Sequence, residues 1–274
     1  MLNRVNKQTR EGFTLVELLV VLTIIALLMG LILPALANAR QNAINVQCQN
    51  NLRQIGTMLV EYSNVSDGFM PAGEDLTSPT YPYYDYSDAL FSFYTGGPAE
   101  SRYSLTSNPT ALAVKYAQIF RCPAVDVPDT DKWADNYACN INAFKWHYTF
   151  NFLNLYSVSL TRLGAIQRPS ETIAITDANQ VQTNGDSDST LYWFYYDAPF
   201  WTQQPLTKIP SGGTSGEANM DATSSSSWLW ESGMRFRHMS NSSGAGYANA
   251  LFFDGHVEAK DINTIEQMNV ATSY

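Results

Sequence analysis

Charged side chains are scarce in this 274-residue chain: only 15% of its residues are Asp, Glu, Lys or Arg, and 25 acids outnumber 16 bases. A basic surface able to neutralise phosphates is missing, which argues against a nucleic-acid partner. The common catalytic signatures are missing as well. There is no Gly-x-Ser-x-Gly elbow, no phosphate-cradling glycine loop, no His-Glu-x-x-His pair and no Cys-x-x-Cys. Three cysteines allow one disulfide with a thiol left over. No internal repeat is visible.

What the chain does have is concentrated at its start. Residues Met1 to Gly12 carry Arg4, Lys7 and Arg10 against Glu11, a net charge of +2, and contain no apolar core of the kind a secretory signal needs. The apolar run begins only at Phe13, and Leu18 to Ala37 are twenty consecutive uncharged residues, enough for a helix to cross a bilayer. Bases precede this run and none follows until Arg40, so the leader is expected in the cytoplasm and the remainder across the membrane. Glu17 sits near the front of the greasy segment. An ionised group in lipid costs about 2.5–3.5 kcal/mol on insertion scales, so it calls for a partner. An amine would serve, and cutting the chain after Gly12 would create one at Phe13. Gly30 and Pro34 interrupt the run and predict a kink.

The helical pattern continues beyond Ala37. Ile44, Cys48, Leu52, Ile55, Leu59 and Tyr62 recur at steps of four, four, three, four and three, which is one face of an amphipathic helix. A single helix from Thr14 to Tyr62 would be about 70–75 Å long. The stretch Ser63 to Gly68 supplies the turn residues that end it. The expected organisation is therefore a leader at 1–12, a membrane and assembly helix at 13–37, its amphipathic continuation at 38–64, and a globular head at 65–274. The 262 residues after Gly12 carry 13 bases and 24 acids.

Strands are expected in the head at Gln118–Arg121, Thr172–Thr176 and Leu191–Tyr196. A hairpin is expected from Asn249–Phe253 through Asp254-Gly255 to His256–Ala259, with both turn residues at positive φ. A short helical run is signalled weakly near Ser159–Leu163. The stretches Gly73–Pro98, Val181–Thr190 and Ser211–Ser227 read as irregular loops. The sixteen tyrosines and six tryptophans could build a sugar-binding or adhesive face, but such residues more often fill cores or pack between subunits.

Gly12-Phe13-Thr14-Leu15-Val16-Glu17 and the apolar run behind it closely resemble the class III signal of type IV pilins and type II secretion pseudopilins. Glu11 departs from the basic residue many members have before the glycine. The segments Cys48–Gly56, Phe120-Arg121-Cys122-Pro123, and Arg237-His238 followed by Phe252–Val257 resemble large G-type pseudopilin relatives with a C-terminal His…Asp-Gly motif. The resemblance implies an α+β, pilin-like fold, with a long N-terminal helix packed on an antiparallel head with long loops. It also implies cleavage by prepilin peptidase between Gly12 and Phe13, N-methylation of Phe13, and pairing of Glu17 with the Phe13 amine of a neighbouring subunit. Further implied are an inner-membrane precursor with an exported head, other copies of itself as partners, an assembly platform for secretion or piliation, and a periplasmic or surface filament. The function so implied is that of a structural, non-enzymatic subunit.

Other chemistry is open to particular residues. Asp177, His238, Asp254 and His256 could orient an imidazole or ligate a metal, and a hydrolase through His238 and Asp254 is one such reading. Turn capping and hydrogen bonding explain the same residues. G-type relatives bind calcium in a C-terminal loop, and Asp186-Ser187-Asp188 after Asn184-Gly185 carry suitable oxygens, as do Asp126, Asp129, Asp131 and Asp135 less neatly. Neither stretch completes a calcium loop, so no metal ligand, cofactor or catalytic residue is assigned. A Cys122–Cys139 disulfide would close a short loop worth about 3 kcal/mol. A Cys48–Cys122 bond would tie the helix to the head, and the resemblance favours it because both cysteines lie in the matching segments. A binding module displaying aromatic loops is the alternative function.

Overall fold

The computed structural model describes residues 14–75, 84–96, 116, 118–125, 136–140, 143–144, 160–178, 190–191, 234–239 and 246–261. Its first element is the helix α1, Leu15–Val65, 51 residues long. A Thr-x-x-Glu sequence starts it: Thr14 Oγ1 accepts from the Glu17 N–H (3.3 Å), while Glu17 Oε2 accepts from the Thr14 N–H (2.9 Å) and Thr14 hydroxyl (2.7 Å). This reciprocal capping box satisfies donors that a helix start otherwise leaves open. The helix continues through Gly30 and Pro34. Pro34 has no N–H to give the Gly30 carbonyl, so the expected interruption is one absent hydrogen bond without a break in the element. The helix ends three residues beyond the expected Tyr62. There Asp67 (φ 51°) is left-handed and the Gly68 N–H bonds back to the Ser63 carbonyl at 2.8 Å, a Schellman-type stop.

The chain divides into two units, Met1–Ala43 and Ile44–Tyr274. In the first, the described part of α1 is exposed along its whole length, with Leu15, Leu27 and Leu31 each more than 70% accessible. The helix is long and apolar enough to cross a membrane. Its polar Thr23 hydroxyl is satisfied locally, donating to the Val20 carbonyl at 2.8 Å.

The second unit is α+β, and α1 from Cys48 onward packs onto its sheet. Cys48, Leu52, Ile55 and Leu59 of the expected stripe are buried, with Ile44 and Tyr62 half-buried at its ends. The sheet contains β3 (Tyr137–Asn140), β4 (Ile173–Asp177), β5 (Thr190–Leu191), β6 (Tyr247–Phe252) and β7 (Val257–Asp261), ordered β5-β3-β4-β6-β7. Four strands are antiparallel neighbours in the order β3-β4-β6-β7; the short β5 joins β3 in parallel. All five residues of the inner strand β4 are buried, as expected for an apolar run covered on both faces. Gly56 of α1 meets this sheet closely. A Cβ there would lie 2.9 Å from Leu251 Cδ1 of β6, so only glycine fits without displacement.

The β6–β7 hairpin forms where expected but turns differently. The Gly255 N–H bonds to the Phe252 carbonyl (2.9 Å), the Phe252 N–H to the His256 carbonyl (2.9 Å), and only Gly255 takes positive φ (91°). This is a three-residue connection with glycine at the left-handed position, in place of two turn residues both at positive φ.

Two other expectations are corrected. Gln118–Arg121 is not a strand: Gln118 and Ile119 are helical, and the backbone of Phe120 and Cys122 bonds to Asn136. Gly73–Pro98 is not wholly irregular. It holds the two-stranded ribbon β1 (Glu74–Asp75) and β2 (Tyr84–Asp85) and the helix α2 (Tyr86–Thr95). Asp85 caps α2, accepting from the Ser87 and Asp88 N–H groups at 2.8 and 2.9 Å, and Gly96 (φ 64°) closes it. Near Ser159–Leu163 the described element is a short 3-10 turn, Leu163–Ala165. Of the strand expected at Leu191–Tyr196, Leu191 ends β5 and the remainder lies outside the described residues.

Aromatic residues fill the core. Tyr86 packs edge-on to Phe120 and Phe144 with ring centroids 6.5 and 5.7 Å away, and its hydroxyl donates to the Tyr137 carbonyl at 2.9 Å. The six tryptophans lie outside the described residues.

Candidate functional site

The N-terminal site begins where α1 begins. Gly12 and Phe13 lie outside the described residues; Glu17 is described. Its carboxylate is held by the capping box, and both bonds it accepts fall on Oε2. The sequence reading gave Glu17 a role between subunits and missed this local one. The Thr14-Leu15-Val16-Glu17 pattern was the signal that could have found it.

A second constellation lies inside the second unit. His238, brought to the sheet by a two-way backbone pairing with Tyr247 (3.0 and 2.8 Å), places Nε2 3.1 Å from Asp177 Oδ2 and 3.5 Å from Cys122 Sγ. Asp177 ends β4, and its Oδ2 also accepts from the Asn249 N–H of β6 at 2.7 Å. Cys122 is positioned by Asn136, whose side-chain oxygen accepts the Cys122 N–H at 2.9 Å. Cys48, from α1, completes the group: its sulfur, Cys122 Sγ and His238 Nε2 all lie within 4.8 Å of one another. All four side chains are buried.

Burial is the largest single influence and works against a charged His238, but the adjacent Asp177 carboxylate and the hydrogen bonds to Asp177 and Cys122 together overcome it, raising its pKa to about 10. Burial also pushes the Cys122 thiol well up, aided by the Cys48 hydrogen bond and the Asp177 charge, against the opposing pull of His238 and Arg237. A nucleophilic cysteine needs its thiolate favoured, and Cys122 is shifted the other way. In a catalytic triad, the carboxylate holds the ring nitrogen opposite the nucleophile. Here Asp177 and Cys122 approach the same Nε2.

Of the four Asp and His residues singled out, the fold therefore brings together Asp177 and His238. Asp254 and His256 form a separate, half-exposed pair at the hairpin tip, with Nδ1 2.5 Å from Oδ1 and the imidazole stacked on Phe252 at 4.3 Å. Asp254 accepts from the His256 N–H at 3.1 Å as well. Although its partial burial acts the other way, these bonds hold its carboxyl below the usual range. The acidic stretches weighed for calcium, Asn184–Asp188 and Asp126–Asp135, lie outside the described residues. Cys48, Cys122 and Cys139 are buried and none is joined in a disulfide; Cys48 and Cys122 are the adjacent two.

The family model for the prokaryotic N-terminal methylation motif matches residues 7–33. The match spans Gly12, Phe13 and Glu17 and ends within α1. A motif of this kind is a type IV pilin-like signal, implying processing by a prepilin peptidase and assembly of the pilin kind. Joined to an apolar helix, it points to a membrane-anchored precursor. No curated protein and no solved structure matches the chain.

Proposed function

We propose that this protein is a structural, non-enzymatic filament subunit of the type II secretion pseudopilus. It is stored in the inner membrane with its leader in the cytoplasm, cut between Gly12 and Phe13, methylated on Phe13, and polymerised through α1. The observation that carries this reading is the methylation motif at residues 7–33 running into a helix whose apolar side chains are exposed among the described residues of their own unit. Lipid covers them before assembly and the same helices of neighbouring subunits cover them afterwards. The secretion-type choice rests on the His238…Asp254-Gly255 resemblance.

Glu17 aligns each incoming subunit. Its Oε2 is engaged by Thr14, which leaves Oε1 to accept from the Phe13 amine of a neighbour. In a water-poor setting such a charge-assisted bond is strong and short-ranged, so it sets axial register. Sheared filaments from cells expressing Glu17→Ala test this. The variant is expected in the membrane fraction, processed and folded, with filaments lost. Normal filaments would remove the register role.

A further inference from the structure

The filament reading leaves Cys48, Cys122, His238 and Asp177 unexplained. They come from α1, the turn after Phe120, the segment paired with Tyr247, and the end of β4, so four distant parts of the chain meet at one buried point. Tetrahedral zinc with a thiolate bond of about 2.3 Å and an imidazole bond of about 2.0–2.1 Å separates sulfur from nitrogen by about 3.5 Å. Cys122 Sγ and His238 Nε2 are 3.5 Å apart, and Cys48 Sγ lies within 4.8 Å of both. Asp177 supplies an independent sign. It is fully buried, its Oδ2 lies 3.1 Å from the same Nε2, and its Oδ1 is a buried acceptor with no hydrogen-bond partner among the described residues. Native proteins rarely leave such an oxygen unsatisfied. Arg237 adds a fixed positive charge acting on Cys122, and its Nε and Nη1 are also buried without hydrogen-bond partners among the described residues.

We propose that Cys48 Sγ, Cys122 Sγ and His238 Nε2 bind a thiophilic divalent cation of the zinc type, with the Asp177 carboxylate beside His238 adding negative charge to the site. Two thiolates and a carboxylate around a dication leave one net negative charge, which the Arg237 guanidinium offsets. The ion links α1 to the sheet and to the Phe120–Cys122 turn, a staple where a disulfide would join only two of those parts. Cys139, outside the group, is not a ligand.

The test uses the full chain, purified in detergent under reducing conditions, freed of metal by chelation and then titrated with zinc or cobalt(II). The expected result is one metal per chain, with near-ultraviolet thiolate-to-cobalt absorption and the visible bands of a tetrahedral ion. Cys48→Ser and Cys122→Ser should each weaken binding by more than about tenfold, while Cys139→Ser keeps both stoichiometry and spectrum. Because the serine variants could fail to fold, the cobalt spectrum of the unaltered chain stands as an independent readout. Absence of stoichiometric uptake, a cobalt spectrum without sulfur ligation, or a Cys48–Cys122 disulfide in the chain as isolated from cells would overturn the proposal.

Discussion

A glutamate three residues into a helix can close a capping box without any partner chain, and Glu17 does so with Thr14. This local role and the proposed intermolecular one are separable by substitution. Glu17→Gln preserves an amide oxygen for the cap but removes the charge, so assembly should fall while α1 remains helical by circular dichroism; unchanged assembly would assign the residue to capping alone. At the other site, Asp177 and His238 form a fully buried ion pair. Removing one partner strands the other, so Asp177→Ala should cost about 3–5 kcal/mol in the urea midpoint analysis of the metal-free protein. Asp254→Ala, at the half-exposed hairpin tip, should cost no more than about 1 kcal/mol, because water screens the pair. The pH dependence follows from the sign of the shift. His238 is raised to about 10, so its stabilising contribution in chelated protein is complete below the ordinary imidazole value and is lost as pH rises through the alkaline range. The difference in melting temperature between the wild type and His238→Gln should therefore shrink between neutral pH and pH ~10; a constant difference would contradict it.

Among elements, legibility followed the strength of local periodicity. The α1 stripe from Cys48 to Leu59 and the strands β4, β6 and β7 could be read because side-chain spacing reports directly on which face is covered. Other elements rest on partners that spacing does not reveal. β3 is four residues held between β4 and β5, and the Phe120–Cys122 turn is held by Asn136 from a distant part of the chain. The helix α2 was hidden by a tyrosine- and proline-rich context, yet Asp85-x-x-Asp88 and Gly96 carried its start and stop. The Asp177–His238–Cys122–Cys48 group was legible only as separate residues, since no motif spacing links them; the pairing of His238 with Asp177, not Asp254, is a product of strand order. Gly56 tests the contact between α1 and β6. Gly56→Val adds a branched side chain where a single Cβ already comes within 2.9 Å of Leu251, and should destabilise the second unit by about 1–3 kcal/mol on thermal or urea unfolding. A neutral effect would mean the helix and sheet can move apart.

Over the whole molecule, the two units have different physical needs. Every residue of α1 that the fold buries, from Cys48 to Ser63, belongs to the second unit, which carries its own core. A chain beginning at Ile44 is accordingly expected to be soluble and monomeric by size-exclusion chromatography; aggregation would show that the core needs the first unit. Among the described residues the first unit keeps its apolar side chains exposed, and the proposed function covers them with lipid or with neighbouring copies. The proposed function draws on that division, and it requires removal of the leader to free an amine at Phe13. Mass spectrometry of the N-terminal peptide from protein recovered from cells tests this most directly. The account predicts a chain that begins at Phe13 and carries one methyl group on its α-amine. A mature protein that retains Met1 through Gly12 would contradict it.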